Sequence, residues 1–120
     1  MGPTMTEDMR QIDHPLYQAL RDENIEAFNQ AREQYSPLPS FAYGDFRGLD
    51  LRGLNAEGLD FSHAYFRGAD LRGIDFRRTE LEGASIAHSK ISGCYFPHDL
   101  EADEIVMSLN HGTRMRKMMR

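Results

Sequence analysis

Five histidines, one cysteine and a run of alternating acids and arginines are the residues of this 120-residue chain with chemistry to offer. The histidines are His14, His63, His88, His98 and His111. At an offset of twenty no two of them share a ladder and no Cys/His pairing forms, so no metal ligand set is expected. Cys94 has no second cysteine to pair with, which excludes an internal disulfide and fits a reducing compartment. A reactive thiol needs exposure and a nearby positive charge, and neither is legible around it. Asp45 stands near Arg47, Asp50 near Arg52 and Asp70 near Arg72. A general acid or base requires a carboxylate whose pKa is displaced by burial. Alternating opposite charges describe a solvated, mutually screened surface instead. The glycines open no helix, and no Gly-Lys-(Ser/Thr) follows them, so they are not a phosphate loop. No catalytic residue and no cofactor are expected.

The one segment with the composition of a contact strip is the tail. Arg114, Met115, Arg116, Lys117 and Met118 alternate charge with the flexible thioether that adapts to irregular surfaces. These five are the candidate partner-binding residues. The tail through Arg120 carries four positive charges, too few for strong membrane or nucleic-acid binding.

What must position these side chains is a repeat of five. From Gly44 the chain reads GDFRG LDLRG LNAEG LDFSH AYFRG ADLRG IDFRR TELEG ASIAH SKISG CYFPH. The third column is Phe46, Leu51, Ala56, Phe61, Phe66, Leu71, Phe76, Leu81, Ile86, Ile91 and Phe96. All but Ala56 are large and apolar, and they form the candidate core. The first column is small or aliphatic, the second favours Asp, Asn and Glu, and the fifth favours Gly. A period of five is neither helical nor that of a flat strand. Columns one and three point the same way in an extended segment, after which the chain has to turn. The string Phe-Arg-Gly followed by Asp-Leu-Arg-Gly occurs at 46–53 and again at 66–73. An offset of twenty therefore places Phe46 on Phe66 on Ile86, Leu51 on Leu71 on Ile91, and Phe76 on Phe96, as a coil of constant cross-section needs. The same register places His63 against Gly83, His88 against Gly68 and His98 against Arg78.

This pattern resembles the pentapeptide-repeat family, with its motif Ala-(Asp/Asn)-Leu-x-x. Ala69-Asp70-Leu71-Arg72-Gly73 fits the motif, and the resemblance covers residues 44–98. It implies a β-solenoid, a right-handed quadrilateral β-helix of under three coils with columns one and three inside. Leu49, Leu54, Leu59 and Ile74 stand where the family favours Ala, so those sides are expected to bulge. From Ser85 the second column loses its acids and the last coil becomes less regular.

Coil ends expose backbone and apolar side chains, and the flanks are expected to cap them. Residues 1–43 form an N-terminal helical cap and linker. Asp13 to Gln34 reads as one helix or as two, with a break at Asp22-Glu23-Asn24 because Ile25 falls off the face shared by Leu16, Leu20, Ala27 and Ala31. Residues 99–120 supply a C-terminal capping helix over Leu100–Leu109, with Gly112 as its C-cap, and then the basic tail.

Net charge is −5, with −4 in residues 1–43, −1 in 44–98 and 0 in 99–120. No broad basic face for nucleic acid follows. No apolar run reaches membrane-spanning length, and Met1 to Gln11 carries no apolar leader core, so a cytoplasmic, bacterial-type protein is expected. The expected role is a non-enzymatic protein-interaction or regulatory module, its partner another protein or a second copy in a homodimer. The alternative that the resemblance implies is a DNA mimic that binds DNA gyrase and protects it from quinolones. Against it, the coil region is near neutral and short.

Overall fold

The structure is a computed structural model and describes residues 8–118. The first seven residues of the polar start and the last two residues of the tail, Met119 and Arg120, lie outside the described residues.

From Phe41 onward the chain bonds to itself about one coil later. Phe46 N–H donates to Tyr65 O (2.9 Å), Gly48 N–H to Arg67 O (2.8 Å) and Leu51 N–H to Asp70 O (3.0 Å). In return Tyr65 N–H donates to Gly44 O and Asp70 N–H to Leu49 O. The next coil repeats this, with Phe66 bonded to Ser85 O, Leu71 to Lys90 O and Phe76 to Tyr95 O. The resulting bridges are parallel and offset by twenty residues: Asp45 with Tyr65 with Ser85, Asp50 with Asp70 with Lys90, Asp60 with Glu80, and Asp75 with Tyr95.

These bridges stay isolated, and the described residues contain no β-strand. The reason lies in the corners. After each third-column residue the chain turns, closed by bonds such as Ala69 N–H to Phe66 O (2.9 Å) and Ile74 N–H to Leu71 O (3.1 Å). About three extended residues remain per five, too few for a ladder. The fifth-column glycines take a left-handed backbone: Gly48, Gly53, Gly58, Gly68, Gly73, Gly83 and Gly93 all have φ between 70° and 87°. His63, His88 and Tyr43 adopt it too, with φ of 58°, 54° and 61°.

Pairing starts one five earlier than Gly44. Phe41 N–H donates to Asp60 O and Tyr43 N–H to Ser62 O, with Phe41 fully buried in the third-column position. Phe46, Leu51, Phe61, Phe66, Leu71, Phe76, Leu81 and Ile86 are buried, as is the small Ala56. Ile91 and Phe96 are only half-buried, because no further coil lies over them. Aromatic rings pack along the interior, Phe46 stacking on Phe66 at 5.3 Å and Phe76 on Phe96 at 5.8 Å.

At the start, two short helices cover the first coil, and the break is where Ile25 demands it. Helix α1 spans Pro15–Arg21 and α2 spans Ile25–Ala31. His14 Nδ1 accepts from Leu16 N–H (3.0 Å), and Asn24 Oδ1 accepts from Ala27 N–H (3.3 Å), so each helix has its own side-chain cap. Leu16, Tyr17, Leu20 and Phe28 are buried against Phe41 and Phe46. The Tyr17 hydroxyl both donates to Asp45 O and accepts from Asp45 N–H, at 3.2 Å each.

At the far end, helix α3 spans Ala102–His111 and stops at Gly112, whose φ of 72° is left-handed. The tail beyond it folds back. Met115 is fully buried, its N–H donating to Ala84 O (2.9 Å) and its carbonyl accepting from Gly83 N–H (2.6 Å).

Candidate functional site

The second-column acids are primarily turn builders. Asp45, Asp50, Asp70 and Asp75 each use Oδ1 to accept the backbone N–H two residues on, at 3.0–3.3 Å. Asn55 and Asp60 do the same toward Glu57 and Ser62, and Glu80 toward Glu82. A short side-chain acceptor can close such a turn without a second backbone partner. Four of these acids also hold the arginine two positions on. Asp50 takes two bonds from Arg52, at 2.9 and 2.7 Å, and Asp70 and Asp75 do likewise with Arg72 and Arg77.

Their acidity follows from these bonds. Hydrogen bonding from Arg72 and Arg77 holds Asp70 and Asp75 down to about 2. Asp50 is lowered by Arg52. For Asp45 and Asp60, burial pushes upward, but bonds from Arg47 and from Ser62 and Ser40 outweigh it, and both end low. All five are moved away from the range a general acid at neutral pH needs. In the sequence alone these groups read as a screened surface. Their bonds to the backbone are not part of that pattern, although the Asx-turn preference of Asp and Asn carries the signal.

The histidines and the thiol stay apart. Among the described residues no three of His, Cys, Asp or Glu cluster in a way that could hold a metal ion. His63 stacks on Tyr43 at 4.7 Å and sits against Gly83. Cys94 is half-buried, donates to Leu71 O (2.9 Å), and burial pushes its thiol up, so the thiolate is disfavoured.

Register separates charges that the sequence count merges. Asp60, Glu80 and Glu82 fall on one side of the coil, at 59–63 and 79–83, with no Lys or Arg among those residues. Lys117 of the tail lies on that side, with Nζ 2.9 Å from Glu80 and its N–H donating to Glu82 Oε1 (2.7 Å). Arg114 reaches His63 and Tyr65, each at 3.3 Å, and Asp8 at 3.8 Å. Arg116 N–H donates to Glu104. Of the candidate partner-binding residues, then, Met115 is core, Arg114 and Lys117 face the chain's own acceptors, and Arg116 and Met118 are exposed. Burial of Met115 and its two backbone bonds hold the tail on the coil, and Lys117 adds an ion pair on the acidic side.

A surface depression of about 540 Å³ is lined by Arg77, Arg78, Glu80, His98, Asp99 and Lys117 among others. It is open and charged, and Arg77 and Lys117 in its wall are already paired with Asp75 and Glu80.

A repeat of five with a filled interior and turn-capping acids defines a repeat protein. Residues 60–96 match the pentapeptide-repeat family model in eight copies, and this segment of the chain is a pentapeptide-repeat segment. No curated protein and no solved structure matches the chain. No helix among the described residues is long and apolar enough to cross a membrane.

Proposed function

We propose that the chain is a non-enzymatic protein-interaction module. On this reading the coil is a right-handed, four-sided β-helix, with residues 1–43 as its N-terminal cap and 99–120 as its C-terminal cap. Bridges at an offset of twenty and corners every five residues support that geometry. The observation that carries the function is the filled interior: first- and third-column side chains occupy the coil's axis and leave its outer surface for contact. The low pKa values of the outer acids support a binding surface over an acid-base site. Nothing in the charge pattern favours gyrase mimicry, since Asp45, Asp50, Asp70 and Asp75 are each paired with an arginine.

The test is chemical cross-linking of the full-length chain in native cells followed by mass spectrometry. The expected result is a polypeptide cross-linked at surface residues of the coil or caps. Turnover of a substrate by the purified chain, abolished by one point substitution, would refute the reading. Removal of residues 99–120 is unsuitable as a control, because it takes Met115 and Leu100 out of the core.

A further inference from the structure

We propose that the open edge of the last coil, residues 90–96, docks an extended acidic segment of another polypeptide. This rests on the interaction-module reading and names its surface. Four observations carry it.

Hydrogen-bond donors end there unanswered. Leu71 N–H is met by Lys90 O and Gly73 N–H by Ser92 O. The corresponding groups one coil on, Ile91 N–H and Gly93 N–H, have no acceptor among the described residues. Rows of unpaired backbone groups are templates for strand addition.

The same edge is already covered elsewhere by added chain. Gly83 N–H is met by Met115 O, Ile86 N–H by Ser108 Oγ (3.0 Å) and His88 N–H by Leu109 O (2.9 Å). The chain's own cap runs out after position 88.

Apolar surface is left where the cap stops. Ile91, Cys94 and Phe96 are half-buried, while Leu71, Ile74 and Phe76, one coil below them, are buried. Covering them removes that surface from water, the main driving force for docking.

Charge selects the occupant. Lys90 is exposed and forms no ion pair among the described residues. It ends a ladder that runs Asp50, Asp70, Lys90, with Leu51, Leu71 and Ile91 beside it. An acid followed by an aliphatic residue, extended for about three residues, continues both ladders. The acid lies over Lys90 and the aliphatic side chain over Ile91.

The experiment uses the full chain, labelled with ¹⁵N, titrated with acetyl-Ala-Asp-Leu-Glu-Gly-amide. Acetyl-Ala-Lys-Leu-Lys-Gly-amide is the control. The acidic peptide is expected to shift the Ile91 and Gly93 amide resonances saturably and to slow their exchange, and the basic peptide to do neither. Lys90→Glu, with its melting temperature compared with that of the parent chain, is expected to weaken the acidic peptide about tenfold. Shifts absent, confined to other residues, or equal for both peptides overturn the proposal. So does a concentration-dependent dimer that perturbs Ile91 and Gly93 without peptide, which assigns the edge to a second copy. A native partner cross-linked away from residues 90–96, with no peptide shifts, removes this docking edge and leaves the interaction-module reading standing.

Discussion

At Gly83 two demands meet on one residue. Its φ is 75°, and a Cβ there would lie 2.2 Å from Nδ1 of His63. Gly68 has a similar φ of 70° but open space around it. Left-handed strain alone costs roughly 1–2 kcal/mol, and a forced clash adds about as much again. Gly68→Ala should therefore lose about 1 kcal/mol in urea unfolding and Gly83→Ala about 3 kcal/mol. Gly83→Ala combined with His63→Ala should recover the clash but not the strain. An equal loss in both single variants would show that His63 does not constrain the corner. The placement of His63 against Gly83 was readable from the offset of twenty; the ring's direction was not, since it depends on stacking with Tyr43.

Also at this scale, Asp70 and Asp75 are held near 2 by their arginines, below their ordinary value of 3.8. A carboxylate with a lowered folded-state pKa stabilises the fold above its unfolded pKa, and that contribution fades as pH falls through the folded value. The urea midpoint should thus drop between about pH 4 and about pH 2. Asp75→Asn keeps the turn-closing oxygen and loses the titration. It should flatten part of that drop while costing less at neutral pH than Asp75→Ala. A pH profile unchanged in Asp75→Asn would remove the Arg77 pair from the account.

Among the elements, the C-terminal segment departs furthest from its composition. Arg114–Met118 reads as a contact strip, yet Met115 is fully buried and Met118 is 45% exposed. Removing a buried Met side chain costs about 3 kcal/mol, and trimming an exposed one costs under about 0.5 kcal/mol. Met115→Ala and Met118→Ala should divide accordingly in thermal or urea unfolding. Comparable small losses in both would mean that the tail is not part of the fold. The helix pair was half legible: Ile25 signalled a break, but only the caps on His14 and Asn24 fix it.

For the whole molecule, stability should grade along the coil axis. The first coil is covered by α1 and α2 and the second lies between neighbours, while the third is capped over only part of its length. Hydrogen exchange should be slowest at Phe46, Leu51, Phe66 and Leu71, whose N–H groups are bonded to the next coil. It should be fastest at Ile91 and Gly93. Uniform protection through residue 96 in the free chain would show that the last edge is closed.

The register is legible in the order of residues alone. A large apolar residue at nearly every fifth position, small or aliphatic residues two places before it and Gly at the corners admit one way of stacking, because a slip of one residue turns the core outward. The columns that lie inside are legible too, down to the small Ala56. What happens at the ends and across the coils is set by long-range packing. That Tyr17 and Phe28 cover Phe41, that the tail docks on Glu80 and Glu82, and that no chain lies over Ile91 all depend on contacts between residues far apart in the chain. Those contacts carry no period, so no local pattern announces them; they follow from which surfaces the coil leaves uncovered once it has formed.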